Sequence, residues 1–174
     1  MADLPTLDLA AVLQASQALS SFLELDELLV KIPQILVQHS GSDRCLLALP
    51  DAQDDWLIRA IATPDHPQLC SETLSQSHHC PVELLQSVSR TQQTVVIDGS
   101  KIEPATTIWH DPAPRPQSGF CHPLRHQDEL LGILYLEHRT TPGVFTGDRQ
   151  SVIRLLCNQA AISLHNSRRY NQKE

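Results

Sequence analysis

This 174-residue chain has no surplus of positive charge. Its 13 Lys and Arg stand against 20 Asp and Glu, giving a formal charge of −7 and a pI near 5.6. A nonspecific nucleic-acid surface needs a basic face, so nucleic acid is excluded as an expected partner, and an anionic membrane surface with it. No apolar run approaches the roughly 20 residues that a membrane-spanning helix requires. The opening MADLPTLDL lacks a basic start followed by an apolar stretch, so no signal peptide is expected and a cytoplasmic location is. The five cysteines form no even, closely spaced framework. A chain of this size does not need one, and reduced thiols are expected. There is no internal repeat and no low-complexity tract.

Catalytic signatures are missing as well. The chain has no Gly-rich phosphate loop, no Gly-x-Ser-x-Gly elbow and no His-Glu-x-x-His helix. The acidic pairs Asp54-Asp55 and Asp128-Glu129 fall in turns, where carboxylates stay solvated and keep ordinary acidities. No enzymatic activity is expected of this chain. Nine histidines are many for the length, and His78-His79-Cys80, with Cys70 upstream, is a dense group of metal-ligating types. Yet no Cys-x-x-Cys or His-x₃-His spacing exists, and structural zinc usually shows one. Cys121-His122 is a second adjacent pair, but neighbours on a strand point to opposite faces and cannot readily share a metal. No metal site is expected.

What is present is a regular succession of elements. Leu9, Val12, Leu13, Ser16 and Leu19 recur at helical spacing, predicting a helix over about Leu7 to Phe22. Leu25, Leu28, Leu29, Ile32, Ile35 and Leu36 predict a second over about Asp26 to Gln38, kinked or frayed at Pro33, which lacks a backbone donor. Arg44–Leu49 and Trp56–Ala62 read as a hairpin across a polar turn. Thr63 to Cys80 reads as irregular, Pro81–Ser89 as a short helix with Pro in its first turn, and Thr94–Ile97 as a short strand. Ser100 to Gln117 carries Pro104, Pro112, Pro114 and Pro116 and reads as a loop. Two apolar runs, Gly119–Leu124 and Leu130–Leu136, flank the polar turn Arg125–Glu129 and predict a second hairpin. Thr146 or Asp148 can cap the long helix that follows.

Strands joined by tight turns make an antiparallel sheet. The expected fold is therefore α+β. A central antiparallel sheet carries the N- and C-terminal helices on one face, while loops and short helices roof a pocket on the other. The chain reads as a single domain over 1–174, with its core at about 7–165 and its terminal helices acting as linkers or dimerisation elements.

The final third carries a more specific signal. Pro123-Leu124, the strand Leu131-Gly132-Ile133-Leu134-Tyr135-Leu136-Glu137, Phe145-Thr146 with Asp148, and Asn158-Gln159-Ala160-Ala161-Ile162-Ser163 together resemble a GAF domain. GAF domains are small-ligand and signalling modules of sensor kinases, phosphodiesterases and transcription regulators. The wording is similar to that of cyanobacterial multidomain sensor kinases. The resemblance spans about Leu7 to Tyr170 and implies the same layered (GAF/PAS-like) fold. It implies a regulatory, small-molecule-sensing or signal-relay module of a larger bacterial kinase-type protein, with any catalytic output in another domain.

The resemblance also implies where a ligand would sit. One parity of the late strands, Gly119, Cys121 and Pro123 with Leu134, Leu136 and His138, is expected to face the pocket, with Trp109 and His110 as a lid. The ligand stays unidentified. Covalent bilin attachment is disfavoured, because Cys121-His122 lies inside a strand and is followed by Pro123 rather than by the aromatic-leucine pair of the photoreceptors. Cyclic nucleotide is disfavoured because the Asn-Lys…Phe…Asp-Glu pattern of nucleotide-binding members is missing. Two alternatives stand beside the plain module. One is a haem, metal or thiol-redox sensor working through Cys80, His79 or Cys121; the other is a ligand-free dimerisation scaffold. A homodimer through the terminal helices is expected, with the small residues Ala160 and Ala161 on the seam.

Overall fold

The computed structural model describes residues 9–21, 24–53, 55–77, 80–98 and 116–172. Among them the elements run α1 (Leu9–Ser20), α2 (Leu25–Ser40), β1 (Arg44–Pro50), β2 (Trp56–Ala62), β3 (Pro67–Thr73), a 3₁₀ turn (Leu74–Gln76), α3 (Val82–Thr91), β4 (Val95–Asp98), β5 (Ser118–His126), β6 (Glu129–His138) and α4 (Gly147–Gln172). The strands form one sheet in the order β3-β2-β1-β6-β5-β4, and every pairing is antiparallel. The α+β layout expected from the sequence is the fold observed.

Two apolar cores lie on opposite faces of this sheet. On one face α1, α2 and α4 pack over Cys45, Leu47, Leu49, Ala60, Ala62, Phe120, Leu124, Leu134 and Leu136. On the other, α3 and the 3₁₀ turn bring Leu84, Leu85, Val88 and Leu74 onto Leu46, Ala48, Ile58, Cys121, Ile133 and Tyr135. The central strands are covered on both sides, so β1 and β6 are buried almost end to end. That is why they read as unbroken apolar runs and not as alternating ones.

Local chemistry sets the element ends. Thr146 Oγ1 accepts the backbone N–H of Arg149 at 3.4 Å, so Thr146 caps α4 and Asp148 lies in its first turn. Gly41 closes α2 in the left-handed region at φ 84°. The β5–β6 hairpin turns on Gln127 and Asp128, both with positive φ (51° and 67°), as a two-residue hairpin turn of this hand requires. The helix α2 continues on both sides of Pro33, whose ring is buried in the terminal-helix core. That burial offsets the lost hydrogen bond, so Pro33 does not divide the helix.

Two expectations need correction. The segment read as irregular before Cys80 contains β3, an edge strand with no fully buried side chain. It is held by backbone pairing to β2, so it carries no apolar signature. The apolar stripe expected on α1 also splits. Val12, Ala15 and Leu19 turn inward, whereas Leu9 and Leu13 are 71% and 57% exposed.

Gly132 sits mid-strand in β6 opposite Leu124. A Cβ there would lie 2.8 Å from Leu49 Cδ2 and 3.0 Å from the Ala48 carbonyl oxygen. The backbone oxygen cannot move aside, so Gly132→Leu is expected to cost about 1–3 kcal/mol or more through overpacking. Denaturant unfolding checks this, and an unchanged midpoint would show that the strand centre is not enclosed.

Candidate functional site

Side chains alternate across β5, and this assigns its residues to different surroundings. Cys121 is fully buried in the α3-side core. His122 points to the opposite face, where its ring stacks on Phe120 with centroids 6.0 Å apart. The two adjacent metal-ligating types therefore cannot meet at one ion.

The parity expected for the second strand is corrected by the observed register. Cys121 lies opposite Tyr135, and His122 opposite Leu134. Leu134 and Leu136 belong to the terminal-helix core, while Cys121 shares its face with Ile133 and Tyr135. Cys121 and the two leucines thus line no common cavity. The unbroken apolar run from Leu130 to Leu136 gave no alternation to read, and an irregularity at Leu124/Arg125 shifts the register near the turn. His138, paired with Ser118 at the strand end, accepts the backbone N–H groups of Thr140 and Thr141 through Nδ1 at 3.3 and 3.1 Å. It organises the turn after β6. Trp109, His110, His78 and His79 lie outside the described residues.

The α3 face carries buried polar groups within apolar surroundings. Glu137 is 5% exposed and faces Arg44, whose Nη1 is 3.5 Å from its carboxylate. Burial pushes the Glu137 carboxyl above its ordinary range, and the Arg44 charge opposes that shift. The Tyr135 hydroxyl is buried and has no hydrogen-bond partner. After burial itself, the neighbouring Glu137 carboxylate is the next influence that holds this hydroxyl protonated. Cys80, before α3, packs against the same cluster. Burial raises its thiol to about 11, against a weak contact to Ser77. Cys121 is likewise pushed well up by burial. Both are protonated at neutral pH and are poor nucleophiles. All five cysteines are free, and no cluster of three or more metal-ligating side chains occurs among the described residues.

A second feature lies on the other face, at the sheet edge. Gln92, Gln93 and Thr94, between α3 and β4, face Arg154 and Asn158 of α4 across His122, Pro123 and Arg125 of β5. They line an open groove of about 480 Å³. The Thr94 hydroxyl and His122 Nδ1 are hydrogen-bonded at 2.7 Å, and Arg154 Nη1 donates to Thr94 Oγ1 at 3.4 Å. Burial, and then the Arg154 charge, lower the His122 pKa to about 4. Sequence reading missed this groove because its residues are polar, ordinary and drawn from three distant segments. The one available signal was that His122 must face away from Cys121.

The geometry defines a six-stranded antiparallel sheet with a packed core on each face, and comparison with known proteins names its class. Residues 24–164 match the family described as GAF domain. The chain belongs to the GAF domain family. It is 24% identical over 175 residues to Histidine protein kinase 1 of Candida albicans, an alignment covering 97% of this chain and 7% of that kinase. A 53-residue stretch is 36% identical to Hybrid signal transduction histidine kinase G of Dictyostelium discoideum, covering 30% of this chain and 2% of that protein. The chain thus spans only a small fraction of the curated relatives it matches. Among solved structures, the GAF domain of an Acinetobacter phosphoenolpyruvate-protein phosphotransferase superposes with a TM-score of 0.69 at 19% identity. That match covers 90% of this chain and 92% of the other. A phycocyanobilin-bound GAF domain from a cyanobacterial phytochrome gives 0.69 at 14% identity, covering 94% and 97%. No helix among the described residues is long and apolar enough to cross a membrane.

The groove has a pH signature. In the unfolded chain His122 protonates near 6.5, and in the fold only near 4. Between those values the unfolded state binds more protons, so the His122 contribution to stability is complete above 6.5 and is lost as pH falls toward 4. His122→Asn is expected to lose stability less steeply than the parent over that window, in denaturant titrations at a series of pH values.

Proposed function

We propose that this chain is a regulatory signal-relay module of a larger kinase-type signalling protein, with no catalytic role of its own. In this reading the α3 face of the sheet is the sensing surface, and α1 and α4 carry the output. The observation that carries the reading is the joining of the first and last helices over the sheet. Ser163 of α4 donates to the Leu19 carbonyl of α1 at 3.0 Å, and both helices contribute to one core. A ligand or partner that shifts the sheet therefore shifts both helices together. The alignment of 97% of the chain with a region of a histidine kinase supports a kinase-type setting. The bilin held by a structural neighbour supports the fold's capacity for a small molecule, while the ligand of this chain stays open.

We further propose a homodimer through the terminal helices, with a seam different from the one expected at first. Ala160 and Ala161 are buried in the chain's own core at 0% and 1% exposure. They fill space beneath α4 and are not available to a second subunit. Among the described side chains, the large apolar residues that α4 leaves outside are Leu155 and Ile162, and on α1 they are Leu9 and Leu13. Spacings of seven and four residues keep each pair on one side of its helix, which suits a helix-to-helix seam.

The scaffold reading keeps one observation in its favour, because the α3 face is occupied by a packed apolar cluster. The raised thiols of Cys80 and Cys121 weigh against a thiol-redox sensor. Mass spectrometry of small molecules released from the purified protein separates the sensor from the scaffold. A visible absorption spectrum tests for haem.

The seam is tested by light scattering. Leu155→Glu with Ile162→Glu is expected to give a monomer at concentrations where the parent is dimeric, with little change in melting temperature. Ala160→Glu is expected to unfold the chain instead, because it buries an unpaired carboxylate. A monomeric parent, or a dimer that survives the exposed double substitution, would overturn the seam.

A further inference from the structure

We propose that the groove between the α3–β4 connection and α4 binds a small ligand through a phosphate group, on the sheet face opposite Cys121. Three observations point there.

The first is charge. Arg125, Arg154 and His122 are the titratable groups lining the groove, and none of its lining residues is acidic. This is notable in a chain with 20 acidic residues and a formal charge of −7. The nearest recorded competitor is Asp128, 3.6 Å from Arg125, and it is fully exposed. Such a solvated pair is weak and readily exchanged for a better anion. The groove lies at the C-terminal end of α3, whose carbonyl dipole amounts to about half a negative charge. Two guanidinium groups outweigh it, and the Gln92 N–H already satisfies the Val88 carbonyl at 2.8 Å.

The second is donor chemistry. The guanidinium groups present planar forks that match oxyanions. The amides of Gln92, Gln93 and Asn158 supply further donors around the same space. Several donors converging from three segments suit the three free oxygens of a phosphate monoester better than the two of a carboxylate. A groove of about 480 Å³ also leaves room for the organic part of such a ligand.

The third is placement. His122 and Thr94 are tied together at 2.7 Å, and Arg154 reaches the same hydroxyl. The floor of the groove is therefore held before any ligand arrives. An anion there would offset the Arg154 field that opposes protonation of His122, which makes the imidazole a reporter of occupancy.

The probes are inorganic phosphate and glycerol 3-phosphate, with succinate as the carboxylate control, titrated into the full chain and followed by heteronuclear NMR. Saturable shifts of the His122 ring and of the Thr94 and Asn158 amides are expected with both phosphates. Arg154→Gln and Arg125→Gln should each weaken binding by about tenfold. Both residues are exposed, so unchanged melting temperatures are expected and the loss will not reflect misfolding. Thr94→Val gives a second, uncharged test and should weaken binding while sparing both guanidinium groups. The proposal is overturned if the phosphates give no saturable shift in the millimolar range, if the Arg125/Arg154 double variant binds as the parent does, or if succinate binds as tightly as phosphate. These readouts report phosphate binding at the groove's own residues, so failure of the groove and failure of the relay function are distinguishable.

Discussion

The pairing of β1 with β6 joins the first strand of the sheet to the last and places both at its centre. Five consecutive register pairs, from Arg44↔Glu137 to Ala48↔Ile133, make this junction. Each strand of the pair also holds a hairpin partner on its outer side. Without that long-range pairing, two separate three-stranded sheets would remain, β3-β2-β1 and β6-β5-β4, each with a new unpaired edge in place of a continuous core. With it, the sheet has two enclosed faces, and helices from opposite ends of the chain can share one of them. The Arg44–Glu137 ion pair marks the end of the same junction. Breaking one partner of such a buried pair costs far more than the pair itself contributes.

Two-sided burial decides how the chemistry-bearing residues are distributed. A strand with one solvated face sorts its polar residues outward. Here β5 has no solvated face over most of its length, so its polar residues must be accommodated inside. Cys121 is neutral and small enough for the α3 core. His122 lies under α4 and is kept neutral by burial, with Thr94 as its hydrogen-bond partner. Tyr135 buries its hydroxyl beside the Glu137 carboxylate, within an otherwise apolar cluster. The α3 face thus has a polar spot in an apolar surround, and the opposite edge has a polar groove with positive charge.

Much of this was legible in the sequence, and the failures have physical causes. The helices and both hairpins followed from spacing and turn chemistry. The family was readable from the last third, where Gly132 and Thr146 each meet a local geometric demand. The facing of β6 was not readable, because Ile133, Leu134, Tyr135 and Leu136 are all apolar and all buried. A pattern without alternation fixes neither parity nor register. β3 escaped because an edge strand needs only backbone partners. On α4 both small and large residues encircle the helix, and composition alone could not say that Ala160 turns inward while Leu155 turns outward. The groove escaped because no local pattern links Gln92, His122 and Arg154; only the sheet order brings them together.

The two proposed sites share a wall one residue thick. Cys121 contacts the core beneath α3 and His122 the side chains beneath α4, and a single peptide bond separates them. Protein interiors are close-packed, so a strand cannot move toward one face without moving from the other. A ligand seated against the α3 face would therefore press on the strand that floors the phosphate groove. An anion drawing Arg154 inward would in turn pull on α4, the helix that joins α1. Coupling of this kind is reciprocal, so occupancy of either site would alter affinity at the other by the same factor. The terminal helices need no direct contact with a ligand to respond, because β5 already touches both compartments and α4 leans on one of them.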